Sequence, residues 1–172
     1  MAKKSRALRP ARLRAALAEI RLVVFDVDGV LTDGGIAYSG RTEIQRFHVH
    51  DGFGLVALRR AGFVIAWISG RGSLATRTRA KELGVDEVHL HVKDKRLALA
   101  ELQARLGIPP AHTASMGDDE PDLGLLAASA FFAAPADARP EIRALADLVT
   151  DARGGAGAVR EFADLLLAAR AR

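Results

Sequence analysis

RLVVFDVDG, residues 21–29, joins a short β-branched run to two carboxylates and a glycine. Such a run, Arg21 to Phe25, reads as a strand buried on both faces that ends where the acidic residues begin. The pattern recurs along the chain. FVIAWI, Phe63 to Ile68, ends in Ser69-Gly70-Arg71, and Thr113 to Met116 leads into Gly117-Asp118-Asp119. Helical stretches lie between these strands. Leu55 to Ala61 stops at Gly62, Leu74 to Leu83 at Gly84, and Lys95 to Leu106 at Gly107 and Pro109-Pro110, with glycine in the position that ends a helix.

A brief strand is expected at Glu87 to Leu90. Beyond the third acidic strand end come a helix at Asp122 to Ala128, a strand at Ala130 to Ala133, a helix at Pro140 to Ala146 and a strand at Leu148 to Thr150. The glycine-rich loop Gly154 to Gly157 then leads to a last helix, Val159 to Ala169. Ile36 to Tyr38 and Ile44 to Val49 flank Ser39-Gly40 and read as a β-hairpin. Strands alternating with helices give an α/β fold, a single Rossmann-like domain with a parallel sheet, helices on both faces and a hairpin insertion. Ligands of such sheets bind beyond the carboxyl ends of the strands. Asp26, Ser69 and Asp118 are therefore expected to face one crevice.

Composition narrows the function classes. The chain has 172 residues, 49% of them hydrophobic, enough for one domain with a substantial core. It has no cysteine, which removes disulfides, thiolate metal sites and cysteine nucleophiles and suits a cytoplasmic location. No run is long and apolar enough for a membrane span. The formal charge of +4 comes from scattered arginines with few aromatics, a solvated surface rather than a nucleic-acid face. The opening residues, MAKKSRALRPARLR, are basic without the apolar core of a secretory signal. Residues 1–20 read as a dispensable arm and short helix (Ala11 to Glu19), and 21–172 as the functional domain.

Two carboxylates one residue apart at a strand end, Asp26 and Asp28, repel unless a cation or proton relieves them. A hard divalent ion with a phosphate oxygen in its shell does so; a turn with two solvated aspartates is the other reading. Asp118, Asp119 and Asp122 form a second acidic cluster, and one of them is expected to cap a helix. Ser69, with the backbone amide of Gly70, suits a phosphoryl oxygen, and so does the ammonium of Lys95, with Lys93 as its competitor.

In order, Asp-x-Asp, Ser, Lys and Gly-Asp-Asp-x-x-Asp resemble the haloacid dehalogenase superfamily of phosphotransferases. Asp26 to Gly34 (DVDGVLTDG), Asp51 to Leu55 (DGFGL), Ile68 to Arg71 (ISGR) and Gly154 to Glu161 (GGAGAVRE) look like its capless subgroup containing the 3-deoxy-D-manno-octulosonate 8-phosphate phosphatases, which implies hydrolysis of that ester in surface-polysaccharide synthesis. The resemblance implies that Asp26 is the nucleophile and forms an aspartyl-phosphate, and that Asp28 is the general acid and base. It implies Mg²⁺ held by Asp26, the backbone carbonyl of Asp28 and Asp118, with Asp119 and Asp122 orienting those ligands. Ser69 and Lys95 would hold the phosphoryl group. Substrate contacts would fall to His48, Val49, His50, Asp51, Gly52, Gly70, Arg71 and Arg79, although a solvated helix position explains Arg79 equally. The subgroup has no large cap domain, and the hairpin is expected to pack with its copies in a homotetramer.

Two positions depart from the pattern. His50 and Val56 stand where basic residues are common, which bears on the substrate and leaves the catalytic set intact. Rival readings are a phosphatase for another sugar phosphate, such as a nonulosonate 9-phosphate, a phosphatase acting on proteins, and a non-catalytic oligomerisation module of sugar-acid activation. A substrate panel separates them.

Overall fold

The computed structural model describes residues 10–171; the basic arm, Met1–Arg9, lies outside them. Six parallel strands form one sheet in the order β5-β4-β1-β6-β7-β8. They are β1 (Leu22–Phe25), β4 (Val64–Ile68), β5 (Glu87–His89), β6 (Thr113–Met116), β7 (Phe131–Ala134) and β8 (Leu148–Val149). Both faces of the sheet are buried, and the period-two alternation of strand residues divides the core in two. Val23, Phe25, Ile65, Trp67, Met116 and Phe131 point to one face. Leu22, Val24, Ala66, Ile68 and Phe132 point to the other.

The first face is covered by α1 (Pro10–Ala18), α2 (Val49–Arg60) and α7 (Ala158–Arg170), with α3 (Leu74–Leu83) beside them. Phe162 of α7 meets Phe25 edge-on and stacks on Phe131, so the last helix is locked onto β1 and β7. The second face carries α4 (Lys95–Leu106), α5 (Leu123–Ala127) and α6 (Pro140–Leu145), through Leu99, Leu102, Leu125 and Ile142. No helix among the described residues is long and apolar enough to cross a membrane.

The ends of α3 and α4 follow their local chemistry. Ser73 and Asp94 cap the N-termini by accepting from the Thr76 and Leu97 amides, and Gly84 and Gly107 close the C-termini in the left-handed conformation. Three elements differ from the sequence expectation. The hairpin is shorter, β2 (Ala37–Ser39) with β3 (Thr42–Ile44), and α2 starts at Val49, six residues before the expected Leu55. Gly52 and Gly54 obscured that helix, because glycine is a poor helix former. Packing explains their presence. A Cβ at Gly54 would sit 3.1 Å from Ala163 and 3.2 Å from Arg160, so the glycine lets α2 approach α7 closely. The acidic helix also begins differently: a 3-10 turn, Glu120–Asp122, precedes α5.

Candidate active site

β1, β4 and β6 are adjacent, and their registers place Phe25 beside both Trp67 and Met116. Asp26, Ser69 and Asp118 therefore leave the sheet side by side. Together with Asp28, Gly70, Arg71, Lys95, Asp119, Pro121 and Asp122 they line a crevice of ≈ 250 Å³. The crevice lies where the carboxyl ends of a parallel sheet place one.

Asp26 is buried, and its Oδ1 accepts from Lys95 Nζ at 2.6 Å. The same ammonium donates to Asp122 Oδ1, also at 2.6 Å. Lys95 reaches both because Asp94 caps α4 and sets its first turn against the crevice. Burial works against its charge, but Asp26 and Asp122 outweigh it and hold the ammonium's pKa above its usual value. Lys93, its competitor in the sequence, is exposed.

Asp122 Oδ2 accepts from the amides of Asp118 at 2.9 Å and Asp119 at 3.4 Å. With Lys95 on its other oxygen, this carboxylate is fully engaged and braces the loop that carries Asp118. The fold-back needs Gly117, since a Cβ there would collide with the Asp122 side chain. Asp119 is exposed and caps the following 3-10 turn, accepting from the Glu120 amide at 2.7 Å.

Asp118 packs against Gly29, which has φ 95° and whose missing Cβ leaves the room that the carboxylate occupies. The glycine after Asp-x-Asp is thus required twice, for its backbone angle and for that contact. No described residue donates a hydrogen bond to the Asp118 side chain or to Asp26 Oδ2. Burial first, then the charges of Asp122 and Asp119, push the Asp118 pKa up to about 7. Asp26 is raised too, by burial and by Asp122, against the pull of Lys95. Oxygens of Asp26, Asp118 and Asp122 lie within 4.8 Å of one another.

Three carboxylates around one ammonium leave negative charge unbalanced, and two of them present free oxygens to the same point. This donor set fits a hard divalent cation. Asp26 and Asp118 have oxygens to give it, whereas those of Asp122 are occupied.

Asp28 stands at the mouth of the crevice. Its Oδ2 accepts from Ser69 Oγ at 3.2 Å and its Oδ1 from Gln45 Nε2 at 2.9 Å, with Arg71 Nε at 3.9 Å. Ser69 Oγ also accepts from the Arg71 amide at 3.0 Å, which fixes the turn after β4. Arg71 is held by Glu43 of the hairpin at 2.9 Å. Glu43 and Gln45 escaped the sequence reading. Each is a polar residue on a short hairpin with no motif spacing, and only the approach of the hairpin to Asp28 and Arg71 marks them.

The remaining substrate candidates sit elsewhere. Asp51 is buried under the start of α7, accepting from the Gly157 and Arg160 amides at 3.2 and 2.8 Å. Gly52 lies against Arg79, which forms an ion pair with Glu82 at 3.2 Å. His48, Asp51, Gly52 and Arg79 border an enclosed gap with Phe47 and Trp67, apart from the crevice lining. Val49 and His50 are exposed on the first turn of α2.

Known proteins share this fold and much of this sequence. A profile of the haloacid dehalogenase-like hydrolase family matches residues 83–162. The 3-deoxy-D-manno-octulosonate 8-phosphate phosphatase of Haemophilus influenzae is 38% identical over 93% of this chain and 89% of its own. That of Escherichia coli K12 is 37% identical over 92% and 85%. Among solved structures, the Moraxella catarrhalis phosphatase of the same name, in complex with magnesium ion, phosphate ion and KDO, superposes with a TM-score of 0.90. It shares 40% identity over 92% of each chain. The cobalt-bound Haemophilus influenzae enzyme gives a TM-score of 0.87 at 39% identity, over 90% of this chain and 91% of that one. With a likeness this close along nearly its whole length, the chain belongs to the haloacid dehalogenase-like hydrolases, in the branch of the 3-deoxy-D-manno-octulosonate 8-phosphate phosphatases.

Proposed function

We propose that this phosphatase hydrolyses 3-deoxy-D-manno-octulosonate 8-phosphate to the free sugar acid and phosphate, with Asp26 as nucleophile. The observation that carries the reading is the pairing of Asp26 with Lys95 beside Asp118 in a crevice that admits a phosphoryl group. The names of relatives 37–40% identical over nearly the whole chain support the substrate.

The cofactor is Mg²⁺, as in the related Moraxella catarrhalis structure. Asp26, Asp118 and the backbone carbonyl of Asp28 would hold it, with Asp119 and Asp122 orienting the loop. Bound there, it offsets the charge that phosphate and carboxylate bring together. The chain's own residues do the rest. Asp26 attacks phosphorus with one carboxylate oxygen and would give the other to the cation, while Lys95 neutralises charge gathering on the transferred group. Ser69 and the Gly70 amide position the phosphoryl oxygens. Asp28 gives its proton to the leaving sugar oxygen as the phosphorus–oxygen ester bond breaks. It then takes a proton from the water that cleaves the aspartyl-phosphate, so that its proton is restored and Asp26 is freed.

Arg71, at the rim, would meet the sugar acid's carboxylate with its planar fork. His48, Val49, His50, Asp51, Gly52 and Arg79 would act from a neighbouring copy or by shaping α2, since they lie outside this chain's own crevice lining. A homotetramer built on the hairpin is supported by its exposed Ile36, Tyr38 and Ile44. A cytoplasmic setting, which a cysteine-free chain suits, completes the reading.

Phosphate release from the octulosonate ester and a panel of sugar phosphates, with Mg²⁺ or EDTA, tests it. Wild type should turn over the octulosonate ester best and only with metal, and Asp26→Asn should lose at least ~10³-fold in kcat. Preference for another ester would transfer the substrate reading to His50 and Val56. Failure of folded, Mg²⁺-loaded protein on every ester would end it.

A further inference from the structure

We propose that Gln45 is a positioning residue for Asp28, set by a hydroxyl pair on α3 and brought to the crevice by the hairpin. This rests on the reading of Asp28 as general acid and base. Gln45 Nε2 donates to Asp28 Oδ1 at 2.9 Å, from a residue directly after β3 and 17 positions along the chain. Its other amide atom is held in turn. Ser73 Oγ and Thr76 Oγ1 each donate to Gln45 Oε1 at 2.6 Å.

The direction of this relay follows from what each atom can do. Ser73 Oγ accepts from the Thr76 amide at 3.0 Å as the cap of α3 and gives its proton to Gln45 Oε1. Thr76 is buried, and its hydroxyl lies 3.1 Å from that of Ser73. With two donors on Oε1, the amide turns its NH₂ to Asp28 Oδ1, and a flipped amide would set two acceptors face to face whenever Asp28 is ionised.

Before substrate binds, Asp28 is held on both oxygens, by Ser69 on one and Gln45 on the other, and Gln45 keeps its hold once the Ser69 hydroxyl turns to the phosphoryl group. A carboxyl that must meet first the ester oxygen and then the water gains from having its rotation fixed, because displacements of about 1 Å can cost about 100-fold in rate. The hairpin therefore acts within its own chain as a clamp, with Glu43 on Arg71 and Gln45 on Asp28.

Leaving-group dependence tests this. An alkyl phosphate needs a proton on its departing oxygen, whereas nitrophenolate leaves without one. Gln45→Leu keeps the side chain's bulk and removes its hydrogen bonds. It should lower kcat on the sugar phosphate by about 10- to 100-fold with KM nearly unchanged. With enzyme in excess, single-turnover release of nitrophenolate from p-nitrophenyl phosphate should stay close to wild type. Thr76→Val, which touches neither Asp28 nor substrate, should lower kcat on the sugar ester in the same sense and add nothing to Gln45→Leu. Equal losses on both esters, unchanged sugar-ester turnover, or additive effects of the two variants would each overturn the role of Gln45. Wild-type turnover of the sugar ester by Asp28→Asn would instead overturn the acid–base reading beneath it.

Discussion

Lys95 Nζ lies 2.6 Å from carboxylates on two different loops, and the charge balance of the site turns on it. Lys95→Met would leave Asp26 and Asp122 facing each other without their shared counter-charge. Breaking a buried pair from one side costs about 3–5 kcal/mol, so denaturant unfolding in EDTA should show a loss of that order. Mg²⁺ should restore part of it, while activity stays down by at least about 100-fold. Asp118 supplies a pH signature. Its folded pKa of about 7 stands well above the ordinary carboxyl value, so in metal-free protein the protonated form is favoured by folding. Its contribution to stability is fully present below about pH 4, declines as pH rises from there, and is gone above about 7. Mg²⁺ needs the ionised form and competes with that proton. Calorimetric Mg²⁺ affinity should rise from about pH 6 to about pH 8, with proton uptake by the buffer, while metal-free melting temperatures fall chiefly between about pH 4 and about pH 7. Asp118→Asn should remove this group's share of both trends.

At the scale of elements, strand ends were readable and helix starts less so. The β-branched runs that became β1 and β4 announce themselves because a strand buried on both faces is apolar at every position. The first turns of α2 did not, since Gly52 and Gly54 oppose a helix by propensity, and the reasons for them are Arg79 and Leu83 of α3 against Gly52 and α7 against Gly54. Gly54→Ala should be close to neutral. Its Cβ would meet Ala163 at 3.1 Å, a slight overlap that offsets the gain of about 0.5–1 kcal/mol from replacing a helical glycine. Gly54→Leu should destabilise by about 1–3 kcal/mol through overpacking. Urea unfolding of the two variants separates the contributions. The hairpin is a second case. Its strands could be found from the turn at Ser39-Gly40, but its use of Glu43 and Gln45 against Arg71 and Asp28 depends on which way it folds over the sheet.

For the whole molecule, the hairpin stands out by its exposed apolar side chains: Tyr38 is 65% exposed, with Ile36 and Ile44 half exposed. Apolar patches of this kind mark interfaces, so light scattering should report an oligomer, and Tyr38→Glu with Ile44→Glu should convert it to smaller species. The α/β class, the three strand ends and the carboxylates of the crevice were determined by the sequence alone, because hydrophobic periodicity and strand-end chemistry are local properties. Asp26, Asp28, Ser69 and Asp118 could be named from their order along the chain, and Lys95 with Lys93 as its competitor. Only the tertiary structure decided that Lys95 rather than Lys93 meets Asp26 and that Asp122 spends its oxygens on Lys95 and two amides. It also set Arg79 against Gly52 and brought Gln45 to Asp28. Those outcomes depend on distances between residues far apart in the chain, which follow from strand order and packing and leave no trace in spacing.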